Sequence, residues 1–257
     1  MRKSATISGK SLKPLNCCDA MQLIEQKKIS RRTFMALAGG AVVNIGLPGR
    51  FQKVTAAENR ELATQLRPDG RPRLPPGQHA VEQLAFMGGV KGPGSVPDWR
   101  MEIYGEVREP GKLSFKELMQ LEQVHCKCDV HCVTGWSLLG ARWSGISLNT
   151  LMQHVGVTSK AGFVIFEAPG GYTANIPMDE ARKNNVILAH SFEGEPLALP
   201  HGQPLRALVP DLYFWKSAKW LEKIYFSAKD IPGYYETSGY SNSADPWKEE
   251  RFAADAD

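Results

Sequence analysis

Between Val124 and Cys132 the chain alternates without a break. Val124, Cys126, Cys128, Val130 and Cys132 fall on one face, and His125, Lys127, Asp129 and His131 on the other. This period of two dictates a strand with all three cysteines on one side, ending near Cys132. The strand runs into His131-Cys132-Val133-Thr134-Gly135-Trp136-Ser137. A thiol held at a strand end, just before Thr-Gly, can project from a rigid frame into a cleft. Its thiolate is a soft donor for a transition metal. A lone cysteine is more often a packed core residue. Two basic runs far downstream change that balance: His201-Gly202-Gln203-Pro204-Leu205-Arg206 and Lys216-Ser217-Ala218-Lys219-Trp220. Loops carrying such cations can hold an anionic cofactor against the thiol.

The other elements are short. Met101, Ile103, Gly105 and Val107 share a strand face opposite Glu102, Tyr104 and Glu106. Ser114-Phe115-Lys116-Glu117 has the capping-box pattern and predicts a helix to about Leu121. Ser147 caps a second helix with Leu148, Leu151, Met152 and Val155 inside and Gly156 as its stop. Strands are predicted over 162–167, 172–176, 186–190, 205–209 and 221–226, with Gly170-Gly171 as a turn and a helical turn or two over 178–183. The stretch 58–77 reads as an extended arm and 79–97 as a Gly-rich loop. Strands mixed with short helices imply an α+β, β-rich fold, not a regular βαβ array.

The first 56 residues are of a different character. Polar and basic residues precede Ser30-Arg31-Arg32-Thr33-Phe34-Met35, followed by a weakly apolar run to Leu47 broken by Gly39, Gly40, Asn44 and Gly46. Val54-Thr55-Ala56 offers small residues for cleavage. This is the pattern of a twin-arginine signal peptide, which carries folded cargo to the periplasm. The run falls short of the ~18 apolar residues that span a bilayer. The leader holds ten of the 31 Lys/Arg and two of the 27 Asp/Glu, leaving 21 basic and 25 acidic residues and turning a net +4 into −4. A folded domain without basic excess argues against nucleic-acid binding. Cys17 and Cys18 leave with the leader. An odd three cysteines remain, so at least one thiol is unpaired. Cys126 and Cys128 are adjacent on one face, a poor geometry for a disulfide, and read as core.

From Trp99 to Trp247 these motifs resemble the sulfite-oxidase-like family of molybdopterin enzymes. The resemblance implies a domain over residues 99–257, behind the signal at 1–56 and the arm at 57–98, with one molybdenum-molybdopterin per chain. It implies that Cys132 is the protein's ligand to molybdenum. It implies that His201, Arg206, Lys216, Ser217, Ala218 and Lys219 contact the cofactor. Relatives can place a threonine where this chain has Ala168, which leaves a backbone contact there. By its spacing from Lys219, Tyr240 falls at the pocket tyrosine of sulfite oxidases, with Tyr234 and Tyr235 as competitors. The chain departs from sulfite-oxidising relatives near Phe86-Met87, where they hold an arginine for the substrate oxyanion. Lys91 is the only basic residue between Arg73 and Arg100.

The expectation is a periplasmic molybdenum oxidoreductase that transfers an oxygen atom to or from a small substrate, a sulfoxide in preference to sulfite. The chain has no C-x-x-C-H haem motif, so a separate haem-type protein, soluble or in the membrane, is expected to exchange electrons with it. No long C-terminal extension follows the domain, and a monomer is expected. Two rivals are a sulfite dehydrogenase with the same cofactor and a secreted non-catalytic β-rich module with a structural or copper-binding Cys/His strand. The copper reading accounts for His125, Cys126, Cys128 and His131 but leaves both basic loops unexplained.

Overall fold

The structure, a computed structural model, describes residues 56–85 and 98–255. The twin-arginine segment, Phe86, Met87 and Lys91 lie outside the described residues. The described elements run, in order, α1 (Ala56–Ala63), β1 (His79–Val81), β2 (Arg100–Gly105), β3 (Gly111–Ser114), α2 (Phe115–Leu118), β4 (Gln123–His131), β5 (Trp136–Ser147), α3 (Leu148–His154), β6 (Phe163–Ala168), β7 (Tyr172–Pro177), α4 (Met178–Ala181), β8 (Ile187–Phe192), β9 (Glu195–Pro196), β10 (Arg206–Leu208) and β11 (Lys223–Ser227). They form the expected β-rich α+β fold. One sheet has the order β3-β2-β11-β6-β7. In the other, β1, β5, β8 and β10 are neighbours in that order, β4 pairs with β5, and β9 pairs with β8.

The two sheets share a core. Met101 and Ile103, Val164 and Phe166, and Ile224 and Phe226 pack with Leu148, Leu151 and Met152 of α3, and with Leu188 and Ala207 of the other sheet. A second cluster covers the opposite face of that sheet: Val130, Cys132, Trp136, Leu138, Trp143, Ile187, Ala189 and Leu208. Strand β8 is therefore buried on both faces, which explains its continuous apolar run from Val186 to Ala189.

Local signals hold well. Ser114 and Glu117 form the reciprocal capping box, although α2 stops at Leu118 instead of Leu121. Ser147 caps α3, and Gly156 follows it at φ +63°. Strand β2 stops at Gly105, φ +93°, where a Cβ would lie 2.2 Å from the Phe226 carbonyl oxygen. Val107 makes only an isolated bridge to Val157. The alternation of β4 survives intact. Its register shift against β5 places the extra residue on β5, where Gly140 adopts φ +66° and donates its N–H to Asp129.

Two readings of the segment before Trp99 change. The arm opens with helix α1, and residues read as loop contain β1, which pairs in parallel with β5 at Trp136–Leu138. A three-residue strand at a sheet edge has too little alternation to be seen from sequence. Its docking also gives Asp129 a partner: the Arg73 guanidinium grips that buried carboxylate with both Nε and Nη2.

Candidate functional site

Cys132 sits in the turn between β4 and β5. Its N–H donates to the Trp136 carbonyl at 2.8 Å and its carbonyl accepts from the Gly135 N–H at 3.0 Å. Gly135 takes φ +98°, a conformation that costs glycine little. The Thr134 hydroxyl donates to the Cys132 sulfur at 3.1 Å. The sequence run is thus a tight hairpin in which Cys132 is 7 % exposed.

The thiol opens into a cavity of about 630 Å³. Cys132 and Thr134 come from the β4–β5 turn, and Ala168, Gly170 and Tyr172 from the β6–β7 turn. His201 and Arg206 come from the approach to β10, and Phe214, Trp215, Ser217, Lys219 and Trp220 from the segment after it. Tyr234, Tyr235 and Tyr240 complete the wall from the tail. Seven of the nine site residues expected from sequence therefore meet: Cys132, Ala168, His201, Arg206, Ser217, Lys219 and Tyr240. Tyr234 and Tyr235 join Tyr240 there, so the position holds a cluster, not one tyrosine.

Lys216 and Ala218 are not among the lining residues. The Lys216 ammonium is fully buried and turned to Glu236 Oε1 at 2.6 Å and Asn175 Oδ1 at 2.8 Å. Trp215 Nε1 donates to the same Glu236 oxygen at 2.8 Å. Lys216 thus ties the tail to the basic segment. Ala218 is buried, and its carbonyl accepts from the Ala207 N–H at 2.9 Å. Sequence reasoning missed Tyr172, Phe214, Trp215 and Trp220. Aromatic residues beside a basic run read equally well as core.

The cations are unusually placed. Arg206 is 2 % exposed. Its guanidinium donates to the carbonyls of Ser217 at 2.8 Å, His201 at 3.1 Å and Ala207 at 3.3 Å, and lies 4.3 Å from the Phe214 ring centroid. No carboxylate pairs with it among the described residues. Desolvation holds its pKa below the ordinary arginine value. Desolvation, then the Arg206 charge, pushes the Lys219 ammonium down to about 8, and His201 is lowered for the same reasons plus the Lys219 charge. Two like charges, with the His201 ring beside them, are thus gathered where water solvates them poorly, an arrangement that an anion would relieve. Gly202 lets the loop close over them: at φ +110°, a Cβ there would lie 3.0 Å from Arg206 Cβ and 3.2 Å from Lys219 Cβ.

The copper reading finds no support. The His125 ring is exposed and hydrogen-bonded to Ser144. Cys126 and Cys128 are free thiols packed against the cluster around Trp143. His131 is fully buried against Ser137 and Trp247. Among the described residues no group of three or more His, Cys, Asp or Glu could hold a metal ion.

A soft donor and a cationic cradle on one cavity define a redox enzyme built around an anionic, metal-bearing cofactor. The chain belongs to the family described as oxidoreductase molybdopterin binding domain, which it matches over residues 89–235. It is a molybdopterin-dependent oxidoreductase, and its cofactor is molybdenum-molybdopterin. The residues present fit that group: the Cys132 thiol for the metal, and Arg206, His201 and Lys219 for the pterin phosphate. An uncharacterized oxidoreductase of Bacillus subtilis, YuiH, is 40 % identical over 185 residues, spanning 71 % of this chain and 93 % of that one. The catalytic subunit of a protein-methionine-sulfoxide reductase, MsrP of Xanthomonas axonopodis pv. citri, is 32 % identical over 150 residues, 51 % of this chain and 45 % of its own length. The chain therefore spans about half of that relative. The sulfane dehydrogenase SoxCD of Paracoccus pantotrophus shares the fold, with a TM-score of 0.54 at 22 % identity over 59 % of this chain and 43 % of that one.

Proposed function

We propose that this enzyme is exported by the twin-arginine route and removes the oxygen atom from a neutral sulfoxide-type substrate in the periplasm. The observation that carries the reading is that Cys132 shares one cavity with the basic residues His201, Arg206 and Lys219 and with Tyr172, Tyr234, Tyr235 and Tyr240. The bound molybdenum–pterin group supplies a two-electron redox couple at which oxygen is exchanged. Cys132, its position set by the turn, tunes that couple as a sulfur ligand. Arg206, Lys219 and His201 anchor the phosphate.

Burial and the neighbouring Tyr240, Tyr234 and Cys132 push the Tyr235 pKa above its ordinary value, so its hydroxyl stays a donor and can bond a sulfoxide oxygen. Apolar ring surface from Trp215 and Tyr172 excludes water and receives the carbon groups of the substrate. Overall, the sulfoxide takes up two electrons and two protons and leaves as thioether and water. The electrons arrive from a separate haem-type partner.

The cationic lining is compatible with the rival, sulfite oxidation, if Arg206 also faces the substrate. Stopped-flow spectra of the loaded enzyme separate the two. Fast reoxidation of the reduced enzyme by a dialkyl sulfoxide, with little reduction of the oxidised enzyme by sulfite, is expected. Rapid saturable reduction by micromolar sulfite, with no response to sulfoxides, overturns the proposal. Export is tested separately: Arg31→Lys with Arg32→Lys should hold the loaded precursor in the cytoplasm.

A further inference from the structure

The turn that carries Cys132 is held from outside by two segments far from it in sequence. Gln78 Nε2 donates to the Cys132 carbonyl at 3.1 Å. The Gln78 amide oxygen accepts from the Ser137 hydroxyl at 3.3 Å, and Ser137 bonds the buried His131 ring at 2.8 Å. The next residue, His79, donates its N–H to the Gly135 carbonyl at 2.9 Å. From the other end of the chain, Arg251 Nη1 donates to the Val133 carbonyl at 2.8 Å. The carbonyls of Cys132, Val133 and Gly135 are thus all fastened, two of them by side chains. Gln78 and Arg251 both lie outside residues 89–235, where the family match falls.

Arg251 has a further connection. Its carbonyl accepts from the Ser241 N–H at 3.1 Å, and the next residue, Phe252, bridges Tyr240. The strap that holds the thiol turn therefore also holds one of the cavity tyrosines. Neither Gln78 nor Arg251 lines the cavity, although Cys132 and Val133, whose carbonyls they hold, do.

We propose that Gln78 and Arg251 are positioning residues that set the direction of the Cys132 sulfur toward the metal. The inference rests on the reading of Cys132 as metal ligand. The Gln78 bond fixes the peptide plane that follows Cys132 and the Arg251 bond the plane after that, while the Cys132 N–H bond to Trp136 fixes the plane before it. Together they set the Cα–Cβ direction, and the Thr134 hydroxyl then holds the sulfur itself. A metal–thiolate bond is sensitive to such outer contacts, because small changes in ligand orientation alter overlap and donor strength. Gln78→Leu keeps the bulk but removes both amide bonds. Arg251→Leu removes the bond to Val133, and Arg251→Lys retains one cationic donor.

The test uses the loaded enzyme and reads the metal directly, through the electron paramagnetic resonance spectrum of the half-reduced metal and its midpoint potential. Ser147→Ala, which removes the cap of α3 far from the turn, is the control for general destabilisation. Gln78→Leu and Arg251→Leu should each shift the spectrum and the potential at full molybdenum content. They should lower kcat several-fold with KM unchanged, and Arg251→Lys should restore part of each. Ser147→Ala should leave spectrum and potential as in the parent. Parent-like spectra and potentials in both Leu variants overturn the proposal. If one of the two Leu variants does not fold, the other, with Arg251→Lys, decides by the same criterion. Failure of the underlying reading looks different: the parent enzyme itself would then lack any sulfur-ligand signature, and Cys132→Ser would leave its spectrum unchanged.

Discussion

The buried pair Lys216–Glu236 allows a quantitative test of how the tail is held. Its side chains are 0 % and 2 % exposed and its N–O separation is 2.6 Å. Desolvation lowers the Lys216 pKa even though the Glu236 charge raises it. The attraction therefore does not fully offset the loss of water. Removing one partner strands the other charge in the interior, which typically costs about 3–5 kcal/mol. For a domain of this size, 1 kcal/mol corresponds to roughly 2–4 °C in Tm, so Glu236→Leu or Lys216→Met alone should lower Tm by about 6–20 °C. Replacing both should recover part of that loss, because two apolar side chains leave no unpaired charge. The double variant retains two defects: Trp215 Nε1 loses its acceptor and the buried Asn175 Oδ1 its donor, each at about 1–3 kcal/mol. Thermal and urea unfolding of the cofactor-free protein would measure all four corners of the cycle. Single variants within about 1 kcal/mol of the parent, or a double variant as unstable as the sum of the singles, would refute the argument.

Cys132→Ser should abolish turnover and change the metal's absorption spectrum, since an alcohol is a poor donor to a soft centre; Cys126→Ser should leave turnover largely intact, which steady-state kinetics would show. The double variant Arg206→Ala, Lys219→Ala should lose cofactor on dialysis, because each charge-assisted bond contributes about 1.5–3 kcal/mol and losing even one permits more than a tenfold weakening; full molybdenum content by elemental analysis would count against the cradle. In the cofactor-free protein Lys219 titrates near 8, and a bound phosphate raises that value by favouring the ammonium. Through Lys219, cofactor affinity should accordingly fall above about pH 8, with proton uptake on binding, and Lys219→Arg should move the fall to higher pH; equilibrium titrations across that range would check the sign.

The local elements were legible because each rests on contacts within a few residues. The period of two in β4, the Ser114–Glu117 box and the Ser147 cap need no tertiary partner to be recognised. The strand end at the thiol was legible for the same reason, but strand β5 (Trp136–Ser147), which makes a hairpin of it, was not expected; the basic runs stood out against an acidic domain. The ends of strands were less so. Where β2 stops depends on how closely Phe226 approaches Gly105, and strand β1 exists because β5 offers it an edge.

The sequence by itself determined which groups are the candidates for the chemistry: one thiol at a strand end, and cations in two runs separated from it by about 70 to 90 residues. It also determined the β-rich α+β class, through side-chain alternation and caps that act over one or two turns of chain. Only the tertiary structure decided how those groups divide. Lys216 and Lys219 are three residues apart in one run, yet one ammonium is buried against Glu236 while the other borders the cavity. Only the fold brought Gln78 and Arg251 to the carbonyls of the Cys132 turn. The physical reason is range. Backbone preference and periodicity are set by near neighbours, whereas desolvation and hydrogen-bond partnership depend on what the rest of the chain packs around a group.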